Sequence, residues 1–570
     1  MTDPRTFTYQ TRVAVDPDTD AALQAYASLY GHAERCLFAD YAAATNTTEA
    51  KPAFMRHHGL TSRQYNAIDA GVKGKVTAIK GRRTGLIAES ALRIKKAKAV
   101  VAKLAKPAKA TRPGSPPSAG KGLKPQKPAE SNAVRQARLF ALHHKKRRLA
   151  TLAARHAALV KDDADGRVRI AFGSRKRFQA QFDLTANGIK DHGAWRAEWR
   201  NARSSQFMVM GSKDETAGCQ GCVATVDAAG ALRLQVRLPD ALADMAKYLT
   251  ITGVRFAYGT ENILAALSSS RVVKSTLPDG RQIRRRDGTA LTYRFVRDEK
   301  GWRVLVSVAV SAVERVTHRL LGAIGVDLNA DHLAVAEIDR HGNIIDFERI
   351  DTAVYRKSRD QRSAILGDAA CAIARRAKGA CKPVVIEKLD FQAKKAQMET
   401  VDRRQCRILS ALAYRQAAQM ITAACFRMGV EVIEVNPAYS SIIGAVNHAC
   451  QHGISVHMGA AGVLARRGLS LSERATVRTG VCPARNGAQL TFGLPTRIRS
   501  KHVWAYWSKV KITLKAAHEE HVRSGGARQP PAPLRSPSQA ESPIRTLPVR
   551  PRHVNRPLHC SGDVWQDVPC

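Results

Sequence analysis

The segment LLGAIGVDLNADHLAVAEIDRHGNIIDFERI, Leu320 to Ile350, restricts the fold of this chain more than any other stretch. Apolar runs broken by two polar turns predict three consecutive strands, Ala323–Leu328, His332–Ile338 and Asn343–Glu348, joined at Asn329–Asp331 and Arg340–Gly342. Asp327 falls inside the first, otherwise apolar strand. A buried carboxylate is costly unless it is paired or faces a cation. The simpler alternative is that Asp327 closes the strand end and accepts from turn amides.

The chain then offers a helical segment, Gln361–Ala377, followed by KPVVIEKLDF. Val384–Ile386 reads as a buried parallel strand, with Glu387 at its carboxyl end, where open α/β sheets place their ligands. Three strands, a helix and a strand closed by an acid make an RNase H-like arrangement. Its hard oxygen ligands suit Mg2+ or Mn2+, and two such ions about 4 Å apart can activate water in phosphodiester cleavage. An amphipathic helix follows, with Ile408, Leu412, Met420, Ile421, Ala424, Cys425 and Met428 on its core face, and then the strand GVEVIEVNPAYSS.

A third ligand is expected from the next helix, GISVHMGAAGVLARRGL. Between Asn436 and Arg499, however, Glu473 is the only acid. His457 stands near the helix start, ahead of small residues that allow close approach to the sheet. It either supplies the third ligand as a neutral imidazole or marks a site that binds nucleic acid without cutting it. Lys388 and Arg466 are candidate phosphate contacts.

Upstream, Thr8–Val15 alternates as a strand, and 18–104 is mostly helical, with a Thr/Ser cap signal before Ile68, Val72, Val76 and Ile79. Between Lys80 and Arg148 the only acids are Glu89 and Glu130, and the Pro/Gly/Lys-rich centre, about 105–130, reads as a disordered linker. From Val168 to about Val313 a period of two predicts a small β-barrel. Arg175, Lys176, Arg177, Arg271, Lys274, Arg281, Arg284, Arg285 and Arg286 decorate it, and Phe172, Phe178, Trp195 and Trp199 lie nearby. Such residues can stack on and clamp RNA; core packing accounts for the aromatics equally well. Residues 525–570, rich in Pro, Ser and Arg, read as a disordered tail.

With 92 Lys and Arg against 48 Asp and Glu, a formal net charge of +44, the chain needs a polyanionic partner, and nucleic acid is the natural one. No apolar run is long enough for a membrane helix, and the start lacks a signal-peptide core, so a cytoplasmic location is expected. Cys219 and Cys222 form the one C-x-x-C pair among eleven cysteines. A zinc ribbon wants two such pairs, so a tight turn is the expected reading and zinc is not.

GVDLNADHLAV, VVIEKLDF and VNPAYSSIIG resemble the split RuvC motifs of the TnpB-type (insertion-sequence OrfB, TnpB-related) RNA-guided nuclease family, which is related to compact type V CRISPR effectors. GLTSRQYNAI, FGSRKRF, GSKDETAG, TYRFVRDEKGWRVLV and KHVWAYWSKV resemble its other segments, so the likeness spans roughly Thr8 to Lys515. It implies a multidomain α+β protein. A first wedge strand (1–17), a helical recognition region (18–165) and a β-barrel wedge domain (166–315) would precede an α/β RNase H-like (RuvC) nuclease domain (322–515). It also implies a guide RNA, a double-stranded DNA target and a single metal-dependent cutting site, with base pairing reading the sequence. Asp327 and Glu387 match the first two catalytic acids, and His457 stands where the third, normally Asp, is expected. The paired-cysteine zinc ribbon of the family is missing. Both departures match the TnpB-related branch and leave a catalytically inactive RNA-guided DNA binder as the alternative.

Overall fold

A computed structural model describes residues 4–43, 47–106, 131–276, 282–388, 414–475, 477–483, 489–498 and 500–523. The linker expected at about 105–130 and the tail at 525–570 lie almost wholly or wholly outside these residues, as do Arg281, Ile408 and Leu412.

Strand β1 (Arg5–Val13) leads into α1 (Pro17–Ala42), whose start is fixed by Pro17 and by the Asp16 side chain accepting the Thr19 N–H at 2.8 Å. After α2 (Thr47–His58), the anticipated cap is a full capping box, in which Thr61 and Gln64 satisfy each other's backbone N–H. It opens α3 (Ser62–Ala105), a 44-residue helix that packs against α4 (Asn132–Ala164).

Between Val168 and Ser205 the chain departs from the expected alternation. It forms two short helices, α5 (Arg175–Ala180) and α6 (His192–Arg203). Ser174 and Asp191 cap them, accepting from Arg177 and Ala194 N–H at 3.0 and 2.7 Å. These caps set the local structure, against the period of two expected from Val168. Strands begin only at β2 (Gln206–Val209), followed by β3 (Cys222–Val226), β4 (Leu232–Arg237) and β5 (Tyr248–Val254). Then come α7 (Thr260–Ser268), β6 (Arg271–Thr276), β7 (Gln282–Asp287), β8 (Leu291–Asp298) and β9 (Gly301–Val310). They make a four-stranded sheet, β1-β9-β8-β2, a three-stranded sheet, β3-β4-β5, and the ribbon β6-β7. Among the described residues no one of these ladders hydrogen-bonds to another; alternation reports which face of a strand is buried and says nothing of closure. Both larger sheets share one core with α1, α2 and the start of α3, including Leu23, Tyr26, Ile68, Phe207, Tyr293 and Trp302.

The C-terminal half is organised by the sheet β12-β11-β10-β13-β14. Strands β10 (Ala323–Leu328), β11 (His332–Ile338) and β12 (Ile344–Asp351) run antiparallel as consecutive neighbours. After α8 (Arg359–Gly379), β13 (Val384–Glu387) joins parallel to β10. After α9 (Tyr414–Arg427), β14 (Val432–Val435) joins parallel to β13. Ile324, Val326, Val384 and Ile386 face α8 and α9. The opposite face, with Ala323 and Val385, receives Leu464 and Ala465. After α10 (Ser440–Gly444), these come from α11 (Val456–Gly468), which is itself backed by α12 (Val503–Arg523) through Trp507 and Val510. Among the described residues no helix is long and apolar enough to cross a membrane.

Candidate active site

Strand register brings the two acids together. Val326 pairs with Ile386 across the parallel ladder, so Asp327 and Glu387 are the next residues along adjacent strands. Both carry the parity of Gly325 and Val385 and therefore point to the face covered by α11. Both are nearly buried, 8% exposed each, at the carboxyl ends of their strands.

The first turn of α11 delivers His457 to this point. Ser455 caps the helix by accepting the Met458 N–H at 3.2 Å. Small residues then let its backbone lie on the sheet: a Cβ at Gly325 would collide with the Ala461 carbonyl, and Gly459 lies against Gly444. Gly325→Ala is therefore expected to cost about 1–3 kcal/mol by overpacking and to move His457 off Asp327. Denaturant unfolding and the His457 ring NMR signals check both effects.

His457 Nδ1 lies 3.3 Å from Asp327 Oδ2, which also accepts from Asn329 Nδ2 at 3.0 Å. The hydrogen bond to Asp327 raises the His457 pKa despite partial burial. Its ring meets the His332 ring edge-on, centroids 5.1 Å apart. His332 Nδ1 bonds Asp331 at 2.8 Å, and Arg349 reaches the same carboxylate at 3.2 Å. Burial pushes the Asp331 carboxyl up, yet these bonds with His332 and Arg349 outweigh it and hold the group below its usual range. Tyr414, at the start of α9, has its hydroxyl pushed up to about 12, first by burial and then by Glu387 and Asp327. Tyr414, His332, Asp331 and Arg349 were not singled out from sequence as site residues; strand register brings in His332, Asp331 and Arg349, and the packing of α9 brings in Tyr414.

A divalent cation fits two of the three expected ligands. Asp327 and Glu387 offer adjacent hard oxygens. His457, the expected third, has its Nδ1 turned to the carboxylate of Asp327, the acid that would share the cation. Among the described residues no three His, Cys, Asp or Glu side chains converge as metal ligands. Glu473 cannot substitute, because Arg467 and the Trp504 indole N–H hold its carboxylate.

Glu387 opens into a cleft of about 590 Å³ between β1 and α9, lined by Arg5, Phe7, Lys388 and Arg415. Lys388 is exposed beside it, its backbone N–H donating to the Val435 carbonyl. Arg466 is not a free phosphate contact as expected. It is held by the Gly342 and Ser472 carbonyls at 2.6 and 3.1 Å, and burial lowers its pKa. Arg175 and Lys176 are exposed on α5, whereas Arg177 pairs with Glu198 at 2.9 Å. Arg286 is exposed on β7; the side chains of Arg284 and Arg285 on that strand lie outside the described atoms.

Cys219 and Cys222 are fully buried in the core shared by the two sheets. Burial pushes the Cys219 thiol up to about 12 and the Cys222 thiol well above its ordinary value, as for small hydrophobes packed in a core. In buffer that holds Mg2+, a zinc-selective chelator is expected to leave the melting temperature unchanged. Cys222→Ser is expected to cost about 1–3 kcal/mol through a buried, unpartnered hydroxyl, as thermal unfolding of parent and variant with and without that chelator would show.

No family model and no curated protein matches this chain. Among solved structures, it is similar to a chain of a Cas12f1–sgRNA–target DNA complex at 13% identity and TM-score 0.20, over 34% of this chain and 64%, less than two thirds, of the other. It is also similar to T. thermophilus RuvC in complex with a Holliday junction substrate at 16% identity and TM-score 0.18, over 25% of this chain and 90% of that one. A CRISPR-Cas12f ternary complex gives 9% identity and TM-score 0.18, over 81% and 98%.

Proposed function

We propose that this protein is an RNA-guided, Mg2+-dependent DNA endonuclease of mobile-element, TnpB-like origin, cutting at one RuvC-type site. The observation that carries the reading is the placement of Asp327 and Glu387 side by side at the carboxyl ends of β10 and β13, in a sheet whose order puts three antiparallel strands before two parallel ones. Two nearly buried carboxylates in register repel each other unless a cation or proton lies between them. When bound, Mg2+ supplies charge neutralisation and activation of water at the scissile phosphodiester. In this reading Asp327 and Glu387 hold the cation. His457 orients Asp327, while Lys388, Arg5 and Arg415 bring positive charge to the cleft beside Glu387. Arg175, Lys176 and Arg286, together with the net charge of +44, supply phosphate contacts for guide RNA and target duplex.

A second reading, a guided DNA binder that does not cut, is favoured by one observation: the His457–Asp327 contact occupies a carboxylate oxygen that a cation would need. RNA guidance itself is tested by expressing the protein with its native flanking DNA, sequencing the co-purified RNA and measuring binding to matched and scrambled duplexes. A defined RNA and binding to the matched duplex alone support guidance; a random RNA population sinks it.

A further inference from the structure

The α5–α6 segment carries aromatic rings that the fold does not bury. Phe182 is 77% exposed and Phe178 43% exposed. Trp195 and Trp199 lie nearly parallel, 6.1 Å apart at 14°, with Phe178 tilted against Trp199 at 5.6 Å. The Trp195 indole N–H donates to the Arg177 carbonyl at 2.8 Å, which fixes the ring from behind. The segment is anchored on α1: Gln24 donates to the Ser204 carbonyl at 2.9 Å, and Gly31 leaves room for the Arg203 carbonyl. These rings therefore sit on a rigid base.

An independent observation lies beside them. Arg203 stacks over Trp199 at 5.2 Å and neighbours Arg35 and Arg200. Burial first, and then the like charges of Arg35 and Arg200, lower the Arg203 pKa, so the three cations stand close to one another. Arg35 Nη1 and Arg203 Nε are buried without a hydrogen-bond partner. Among the described residues neither these three arginines nor Arg175, Lys176 and Arg196 form an ion pair, and the nearby acid Glu198 is taken by Arg177. Guanidinium groups whose donors lack protein acceptors, on residues that are only partly buried, favour an anion beside the cluster.

We propose that α5, α6 and Arg35 form a binding platform for an unpaired stretch of RNA, with bases stacking on Phe182, Phe178 and the tryptophans and phosphates meeting Arg35, Arg200 and Arg203. Exposed rings offer π-faces that only unstacked bases can reach, and a neighbouring row of unpaired cations matches a phosphate backbone. The choice of RNA over DNA rests on the RNA-guided reading, in which the RNA brings unpaired loops and the DNA arrives as duplex. The platform is remote from Asp327 in sequence and needs no cutting.

The test uses the full-length protein, a labelled 12-nucleotide unstructured RNA, the DNA strand of the same sequence and an RNA duplex of equal length. Phe182→Ala, at an exposed position, is expected to weaken single-stranded RNA binding about fivefold or more. Phe182→Tyr should restore binding, and the duplex should change less than about twofold. Arg200→Gln is expected to flatten the salt dependence by about 0.7 in log–log slope. Unchanged binding in Phe182→Ala, equal weakening of strand and duplex, or a loss confined to the DNA strand would overturn the platform alone. A parent protein that binds none of the RNAs would overturn the RNA-guided reading as well.

Discussion

Asp327→Ala is expected to lower the rate of DNA cleavage at least about a thousandfold while leaving RNA binding within about twofold of the parent, several kcal/mol of transition-state stabilisation lost at one residue. The asymmetry follows from position. Asp327 is on a strand face under α11, beside Glu387, His457 and Asn329. The same variant carries a second signature. Asp327 is the main reason the His457 pKa is raised, so its removal should return the imidazole toward its ordinary value, visible by NMR titration. The sign is fixed: because the folded pKa is raised, the contact's contribution to stability is fully present below the unfolded pKa of about 6.5 and is lost as pH rises through the folded value. The difference in stability between parent and Asp327→Ala should therefore be greatest on the acid side. Cutting retained in Asp327→Ala would remove the nuclease assignment from this site.

His457→Asp is expected to act in the opposite direction. The histidine presents a ring that Asp327 keeps inclined to protonation; aspartate at the same helical position presents a carboxylate. Exchanging a cationic or neutral group for an anion a few ångströms from the metal position is worth about 1–4 kcal/mol near a protein surface, so apparent Mg2+ affinity should rise about tenfold or more. Cleavage should then saturate at lower Mg2+ and depend less on pH. In the absence of metal the variant should be less stable than the parent, because three carboxylates then converge without a counter-charge. Isothermal titration with Mg2+ and a metal titration of cleavage both read this. Unaltered affinity and rate would mean that His457 does not face the metal position.

Much of the active-site half was legible in the sequence for a local reason. Strands bounded by turns, a helical segment over Gln361–Ala377 and a short apolar run ending in Glu387 are signals carried by neighbours in the chain, and the structure has these elements in that order. The end of the third strand was less so: it runs to Asp351 rather than Glu348, because pairing with β11 continues through His332. What escaped was set by distant contacts. Tyr414 and His332 sit beside the acids only because α9 and β11 pack where they do. Arg466 looks like a surface cation in sequence and is held by two carbonyls in the fold. The α5–α6 segment falls inside the stretch expected to alternate from Val168, whereas Ser174 and Asp191 cap two helices there.

The most direct measurement of the central claim is cleavage by the parent ribonucleoprotein, purified with its own RNA, of a plasmid bearing a matched target, across a Mg2+ titration and with a scrambled-target plasmid alongside. Cutting of the matched plasmid alone, at a fixed position and only with Mg2+, is the result expected of Asp327 and Glu387 acting as a nuclease centre. Stable binding to the matched plasmid with no cutting at any Mg2+ or Mn2+ concentration would contradict it and leave a guided binder whose His457–Asp327 contact has closed the site.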